Sequence, residues 1–316
     1  MTSTSEATNN PKPPDTMKNI GMIGLDTSHV VGLNQEFNHP ESPDYLGGAA
    51  RIAKAFPGGS QLTSVSRDRV ANYTRQLADD GIQMVASIAD LADMDAFIMT
   101  SVDGRQHLEQ FQALLPFGKP VFIDKPFTCD YAEAAEIFRL SKAHNVPVMS
   151  CSSVRYMPPI DAPIPDYYGK ILAATTYAPM TILPDYPGYF WYGIHATELL
   201  YSILGPGCAS VRALQHGEFN LLAGHWADGR IGTAQGNGSR YRYAAMIACE
   251  RGIVARVNDP GLPAKKCFAD KLLGFLLTGI SPVPAEETLE IMAFLQAANR
   301  SLAEGGREVA LEEVRQ

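Results

Sequence analysis

Between Lys18 and about residue 150, short apolar runs alternate with longer stretches whose apolar positions recur at helical spacing. The short runs at 20–24, 61–66, 96–100, 120–123 and 147–151 read as strands. The segments 28–37, 69–80, 105–115 and 131–144 between them read as amphipathic helices. Strands that alternate with helices predict a parallel, doubly wound α/β sheet with helices on both faces.

The texture changes after Ser152. Pro158, Pro159, Pro163 and Pro165 interrupt a linker-like stretch, so 18–151 is expected to form one domain and 152–316 another. The second part offers a strand at 171–178, a loop rich in Pro, Tyr and Gly, and a helix around 195–204. Strand-like segments then follow one another at 209–216, 220–225, 231–235, 242–249 and 252–257, and helices at 264–277 and 285–304 close the chain. Consecutive strands predict an α+β domain with an open, mostly antiparallel sheet. The first 17 residues are polar and read as a solvated, disordered tail.

Composition narrows the partners. Lys+Arg 26 against Asp+Glu 34 gives a net charge of −8, and no basic run is interleaved with aromatics, which argues against nucleic acid. No apolar run reaches membrane length, and the N-terminal stretch has no secretory core. The 5 cysteines are scattered without C-x-x-C spacing, which predicts a cytoplasmic, reducing setting and no zinc site.

Three segments carry candidate chemistry. IGMIGLDTSH (20–29) is a strand, a tight turn and a helix start, the frame of a G-x-G-x-x-G phosphate turn. Only Gly24 is kept; Asp26 and His29 stand at the other glycine positions. Asp26, Thr27 and Ser28 are all good helix N-caps. GKPVFIDKPF (118–127) places Asp124 and Lys125 at the carboxyl end of a buried strand, the ligand edge of such sheets. There Lys125 is either a hydrogen-bonding group for a substrate oxygen or a surface lysine paired with Asp124. In WYGIHATELLYSILG (191–205), His195 and Glu198 are three apart on one helix, which suits an oriented general base and equally a core histidine.

Together these segments resemble the glucose-fructose oxidoreductase/inositol dehydrogenase (Gfo/Idh/MocA) family. GKPVFIDKP matches the family's glycine, strand and Glu-Lys-Pro turn with Asp124 for Glu, and Gly193-Ile194-His195 matches its glycine and histidine. The stretch 282–311 is similar to the family's closing helix, which packs beside the active site. The resemblance implies an NAD(P)-dependent oxidoreductase acting on a sugar, polyol or related hydroxylated molecule, assembled as a homodimer or homotetramer through the second sheet. It implies that Lys125 holds or protonates the substrate oxygen, His195 exchanges the hydroxyl proton and Glu198 orients His195. Tyr189, Trp191 and Tyr192 are expected to supply apolar faces for a sugar ring, and no metal is expected.

The departures bear on the cofactor. Trp191 stands where the family places an aspartate, and Glu198 replaces another. Ser66-Arg67 is read at the end of the second strand, where an acidic residue often binds the ribose; this favours NADP over NAD. Asp103 and Arg105 follow the fourth strand and face the same edge. A dinucleotide would meet Gly24, Asp26, Thr27, Ser28, His29, Ser66, Arg67, Asp103 and Lys125, its pyrophosphate displaced toward Thr27 and Ser28. If dinucleotide binding is lost instead, Asp26, His29, Asp103, Arg105, Lys125 and His195 would line a polar cleft for epimerisation, elimination or hydrolysis. A non-catalytic ligand-binding protein is the third alternative.

Overall fold

The computed structural model describes residues 16–238 and 242–315; the tail expected over 1–17 falls outside these up to residue 15. The first part begins with β1 (Lys18–Ile23), α1 (His29–Asn38), β2 (Ala50–Phe56), the short α2 (Ser64–Arg67) and α3 (Val70–Asp79). It continues through β3 (Gln83–Met84), β4 (Ala96–Met99), α4 (His107–Leu114), β5 (Val121–Ile123), α5 (Tyr131–His144) and β6 (Val148–Met149). The six strands are parallel, in the order β3-β2-β1-β4-β5-β6. That is the doubly wound order, and its direction reverses between β1 and β4. β4 and β5 carry no polar residue and are wholly buried, as strands covered on both faces must be.

One expectation fails here. The second strand is Ala50–Phe56, not 61–66. ARIAKAF supplies the alternating apolar positions, with Ile52 and Ala55 in the core, while Leu62 of the supposed strand is exposed. Gly58 and Gly59 end the strand, 61–63 is a loop, and 64–66 already belong to α2.

The second part contains β7 (Ile171–Tyr177), α6 (Gly193–Leu204), β8 (Cys208–His216), β9 (Phe219–Trp226), β10 (Ile231–Gly236), β11 (Ala244–Cys249) and β12 (Gly252–Val257). Then come α7 (Ala264–Thr278), α8 (Ala285–Ala303) and the two-residue β13 (Val309–Ala310). Its seven strands lie in the order β12-β11-β7-β10-β9-β8-β13, and only β7 and β10 pair in parallel. Helices α6 and α8 cover one face of this sheet, and α8 also packs on α5. A continuous apolar cluster runs from the first sheet through Phe127 and Tyr189 to Phe294 and Trp226. α7 crosses back to the first sheet, where Leu272 and Phe275 join Ile20, Val30 and Phe122 in a second cluster. Among the described residues no helix is long and apolar enough to cross a membrane.

Gly24 joins the two halves of the first sheet. Its φ is +85°, and a Cβ there would lie 2.2 Å from Ser101 Oγ and 2.4 Å from the Ser101 backbone nitrogen. Left-handed strain and overpacking together make Gly24→Ala destabilising by on the order of 3 kcal/mol. The unfolding temperature is expected to fall by roughly 5–10 °C in a thermal melt; an unchanged melt would contradict the contact.

Candidate active site

β5 delivers Asp124 and Lys125 to the carboxyl edge of the sheet. Asp124 is buried, its Oδ2 lies 2.6 Å from His29 Nδ1, and its Oδ1 accepts the Lys125 backbone N–H at 2.8 Å. Burial pushes its pKa up, but His29 and Lys125 outweigh that and bring it down to about 2. The carboxylate is therefore ionised, so His29 Nδ1 carries the donated proton. Lys125 is only 7% exposed, and its Nζ sits 5.8 Å from the centre of the Trp191 ring, within cation–π range. Burial lowers the lysine's pKa, Asp124 opposes this, and Arg69 adds to it.

α6 brings His195 to the opposite wall. Gly193 precedes it because a Cβ there would meet Tyr189 Cβ at 2.9 Å. His195 is 6% exposed, and its Nδ1 lies 2.7 Å from Ser152 Oγ. Its ring stacks edge-on to Tyr192 at 5.1 Å and to Tyr243 at 6.3 Å. Burial, then the charges of Lys125 and His29, hold its pKa well below the ordinary value of 6.5. The imidazole is thus neutral and able to accept a proton.

Two expected roles change. Glu198 does not orient His195; it accepts a 2.9 Å hydrogen bond from Arg155 Nε, and Arg155 also pairs with Glu287 of α8. An arginine that is itself nearly buried needs these carboxylates, so Glu198 serves a structural ion cluster and Ser152 takes the place beside His195. Tyr189 is fully buried, with its hydroxyl donating to Asn220 Oδ1 at 3.1 Å, and is a core residue rather than a substrate face.

The glycine-poor turn is also built differently from the expected cap. Ser28 occupies the N-cap of α1 without a side-chain cap bond, and the Thr27 hydroxyl accepts the His29 N–H only at 3.4 Å. Asp26 points away from the helix. It is 0% exposed and accepts hydrogen bonds from the Val102 N–H at 2.8 Å and the Ser66 hydroxyl at 2.6 Å. Burial raises its pKa and these two bonds pull it partly back. The Ser66 oxygen accepts the Ser60 N–H at 2.7 Å, and the Ser60 hydroxyl donates to Asp103 at 2.5 Å. Asp103 is held on both oxygens by Arg105 at 2.7 and 3.0 Å. Burial acts to raise its pKa, but Arg105 and Ser60 prevail and lower it.

Arg67 lies on the surface and donates to the Gln61 carbonyl at 2.6 Å. Because β2 ends at Phe56, Ser66 and Arg67 are not at its end, and the residue basis for preferring NADP is gone.

Thr27, Ser28, His29, Lys125, Trp191, Tyr192 and His195 all line one cleft of about 690 Å³, a volume suited to a small molecule. Asp26, Ser66, Arg67, Asp103, Glu198 and Tyr189 lie outside its lining. Sequence reasoning missed Ser152, Arg69, Tyr243 and the segment 258–265, which complete the site. Ser152 was within reach, since it follows β6 at the same carboxyl edge that singled out Lys125. Among the described residues, no group of three or more His, Cys, Asp or Glu side chains is placed to hold a metal ion.

Residues 19–151 match the model of the family described as "Oxidoreductase family, NAD-binding Rossmann fold" (GFO_IDH_MocA). No curated protein matches the chain. Among solved structures, a probable dehydrogenase from Thermotoga maritima is similar at TM-score 0.73 and 16% identity, covering 94% of this chain and 99% of that one. An oxidoreductase from Agrobacterium radiobacter, in complex with NAD+, L-tartaric acid and magnesium, gives 0.73 and 15%, covering 94% and 99%. A myo-inositol 2-dehydrogenase from Lactobacillus plantarum gives 0.72 and 17%, covering 93% and 99%. Identities this low speak to the fold alone. The strand order, the Asp-Lys-Pro turn and the family match agree over the first domain: residues 19–151 match the Gfo/Idh/MocA family of oxidoreductases with its NAD-binding Rossmann fold.

Proposed function

We propose that the protein is an enzyme that moves a proton at a hydroxyl-bearing carbon of a small carbohydrate-like molecule, a sugar or polyol. The observation that carries this is the pairing in one cleft of a buried ammonium, Lys125, with a buried neutral imidazole, His195. Lys125 donates a hydrogen bond to the substrate oxygen and stabilises negative charge there. His195 takes up the hydroxyl proton, and Ser152 fixes its ring. Trp191 and Tyr192 offer the apolar surface a sugar ring stacks on.

The match of residues 19–151 to an NAD-binding oxidoreductase family, and the NAD-complexed neighbour, support an NAD(P)-dependent reaction. The residues at the usual crevice of a dinucleotide do not fit one, because Asp26 and the loop after β2 fill it. The proton step stands on Lys125, His195 and Ser152 alone. Uptake of the hydroxyl proton serves carbinol oxidation, and uptake of a carbon-bound proton beside a carbonyl serves redox-neutral epimerisation or elimination.

The free thiols of all five cysteines support a cytoplasmic setting. The uncovered face of the second sheet carries exposed Leu214, Phe219, Ile231, Met246 and Ile253, which supports assembly of a homodimer or homotetramer across it.

On a substrate found by screening sugars and polyols, Lys125→Ala and His195→Ala should each lower kcat/KM at least about 100-fold. Full activity in both would leave a binding protein or a different site. The pH profile of kcat/KM should be bell-shaped. A depressed His195 stays unprotonated below pH 6.5, so the acidic limb lies below that value; a depressed Lys125 puts the alkaline limb below 10.5. Limbs at or above the ordinary values would contradict the assignment. Met246→Glu should yield a smaller species than wild type in light scattering, and equal masses would argue against the sheet interface.

A further inference from the structure

We infer that the crevice in which this family seats its dinucleotide is closed in this chain by its own side chains, and that the enzyme works redox-neutrally from the neighbouring cleft. The inference rests on Lys125 and His195 being the proton-transferring pair. In an open α/β sheet the crevice lies beyond the carboxyl ends of the strands where their order reverses, here between β1 and β4. Asp26 stands where the second glycine of the fingerprint would let a pyrophosphate approach. Its carboxyl group bridges that gap, held by the Val102 N–H from the β4 side and by the Ser66 hydroxyl. The Val102 N–H and the Ser66 hydroxyl are thus already occupied by an acid of the chain.

The space toward β2, where an adenosine would rest, is closed by the loop after that strand. Gly58 packs against Gly24, with a Cβ position 3.5 Å from the Gly24 Cα. Ser60 is tied to Asp103, Ser66 to Asp26, and the Gln106 side-chain amide donates to the Gly59 carbonyl at 3.2 Å. The second domain adds a further tie, as Asp185 accepts the Ser64 N–H at 2.6 Å. Charge points the same way. Two carboxyl groups, Asp26 and Asp103, are both fully buried among these loops. The cation beside them, Arg105, is already gripped on both sides by Asp103. On a substrate with a carbonyl beside the carbinol carbon, His195 takes the proton on that carbon while Lys125 holds the enolate oxygen. Return of the proton to carbon completes an epimerisation, or loss of a β-hydroxyl as water completes an elimination, and neither needs an oxidant.

The test is titration of the full chain with NADH and NADPH, followed by nucleotide fluorescence and by thermal shift. Neither should bind up to about 1 mM, and turnover of a discovered substrate should proceed without added nicotinamide. Saturable binding at micromolar concentration, or turnover that requires nicotinamide, would overturn the closure. Hydrogen exchange gives a second measure. The Val102 amide should be protected in the wild type and exchange at least about tenfold faster in Asp26→Ala; an unprotected wild-type amide would also overturn it. If NADH binds while Lys125→Ala and His195→Ala lose activity, the closure fails and the proton-transfer reading stands. If nothing binds and both variants stay active, the reverse holds.

Discussion

A parallel sheet whose strand order reverses must leave a gap, because the connections on its two sides depart to opposite faces. Everything at this protein's carboxyl edge follows from how that gap is treated. β1 and β4 come so close that only a glycine fits at position 24, against the Ser101 backbone. Beyond the glycine, the polar groups of the two loops must be satisfied by a ligand, by water or by the chain itself. Here Asp26 does it. Once the acid is committed to Val102, Ser66 is drawn in as its donor, and the loop after β2 folds down rather than away.

The open cleft next to this plug is shaped by the cost of burying charge. Lys125 is nearly enclosed, and Asp124 supplies the compensating carboxylate while itself leaning on His29. Burial, and after it the same positive surroundings, keep His195 neutral. The Lys125 charge thus helps set the protonation state of the imidazole on the opposite wall. Farther back, Arg155 with Glu198 and Glu287 forms a separate buried cluster that binds the linker, α6 and α8 together.

Both sheets were legible in the sequence because their patterns are strong: all-apolar β4 and β5, and a run of strands without helices between them. The positions of Asp124 and Lys125 just after β5, and of His195 in the first turn of α6, follow from the glycines at 118 and 193 that mark those element boundaries. The misread second strand had a physical cause. ARIAKAF interleaves charged residues with its apolar ones, whereas QLTSVS has the β-branched look of a strand without a buried face. That single slip carried Ser66 and Arg67 to the wrong place. The reassignment of Glu198 could not be foreseen either, since helical spacing shows which residues share a side but not that Arg155, 43 positions away, competes for the carboxylate.

Tyr186 belongs to the second domain, yet its hydroxyl donates to the Val102 carbonyl at 2.8 Å and accepts the Gly104 N–H at 3.2 Å. With Asp185 on the Ser64 amide, it stitches the loop before α6 to the loops after β4 and β2. Such stitching turns two domains that could swing about the linker into a single frame. The cleft, with residues 258–265 in its lining, is then carried on that one frame.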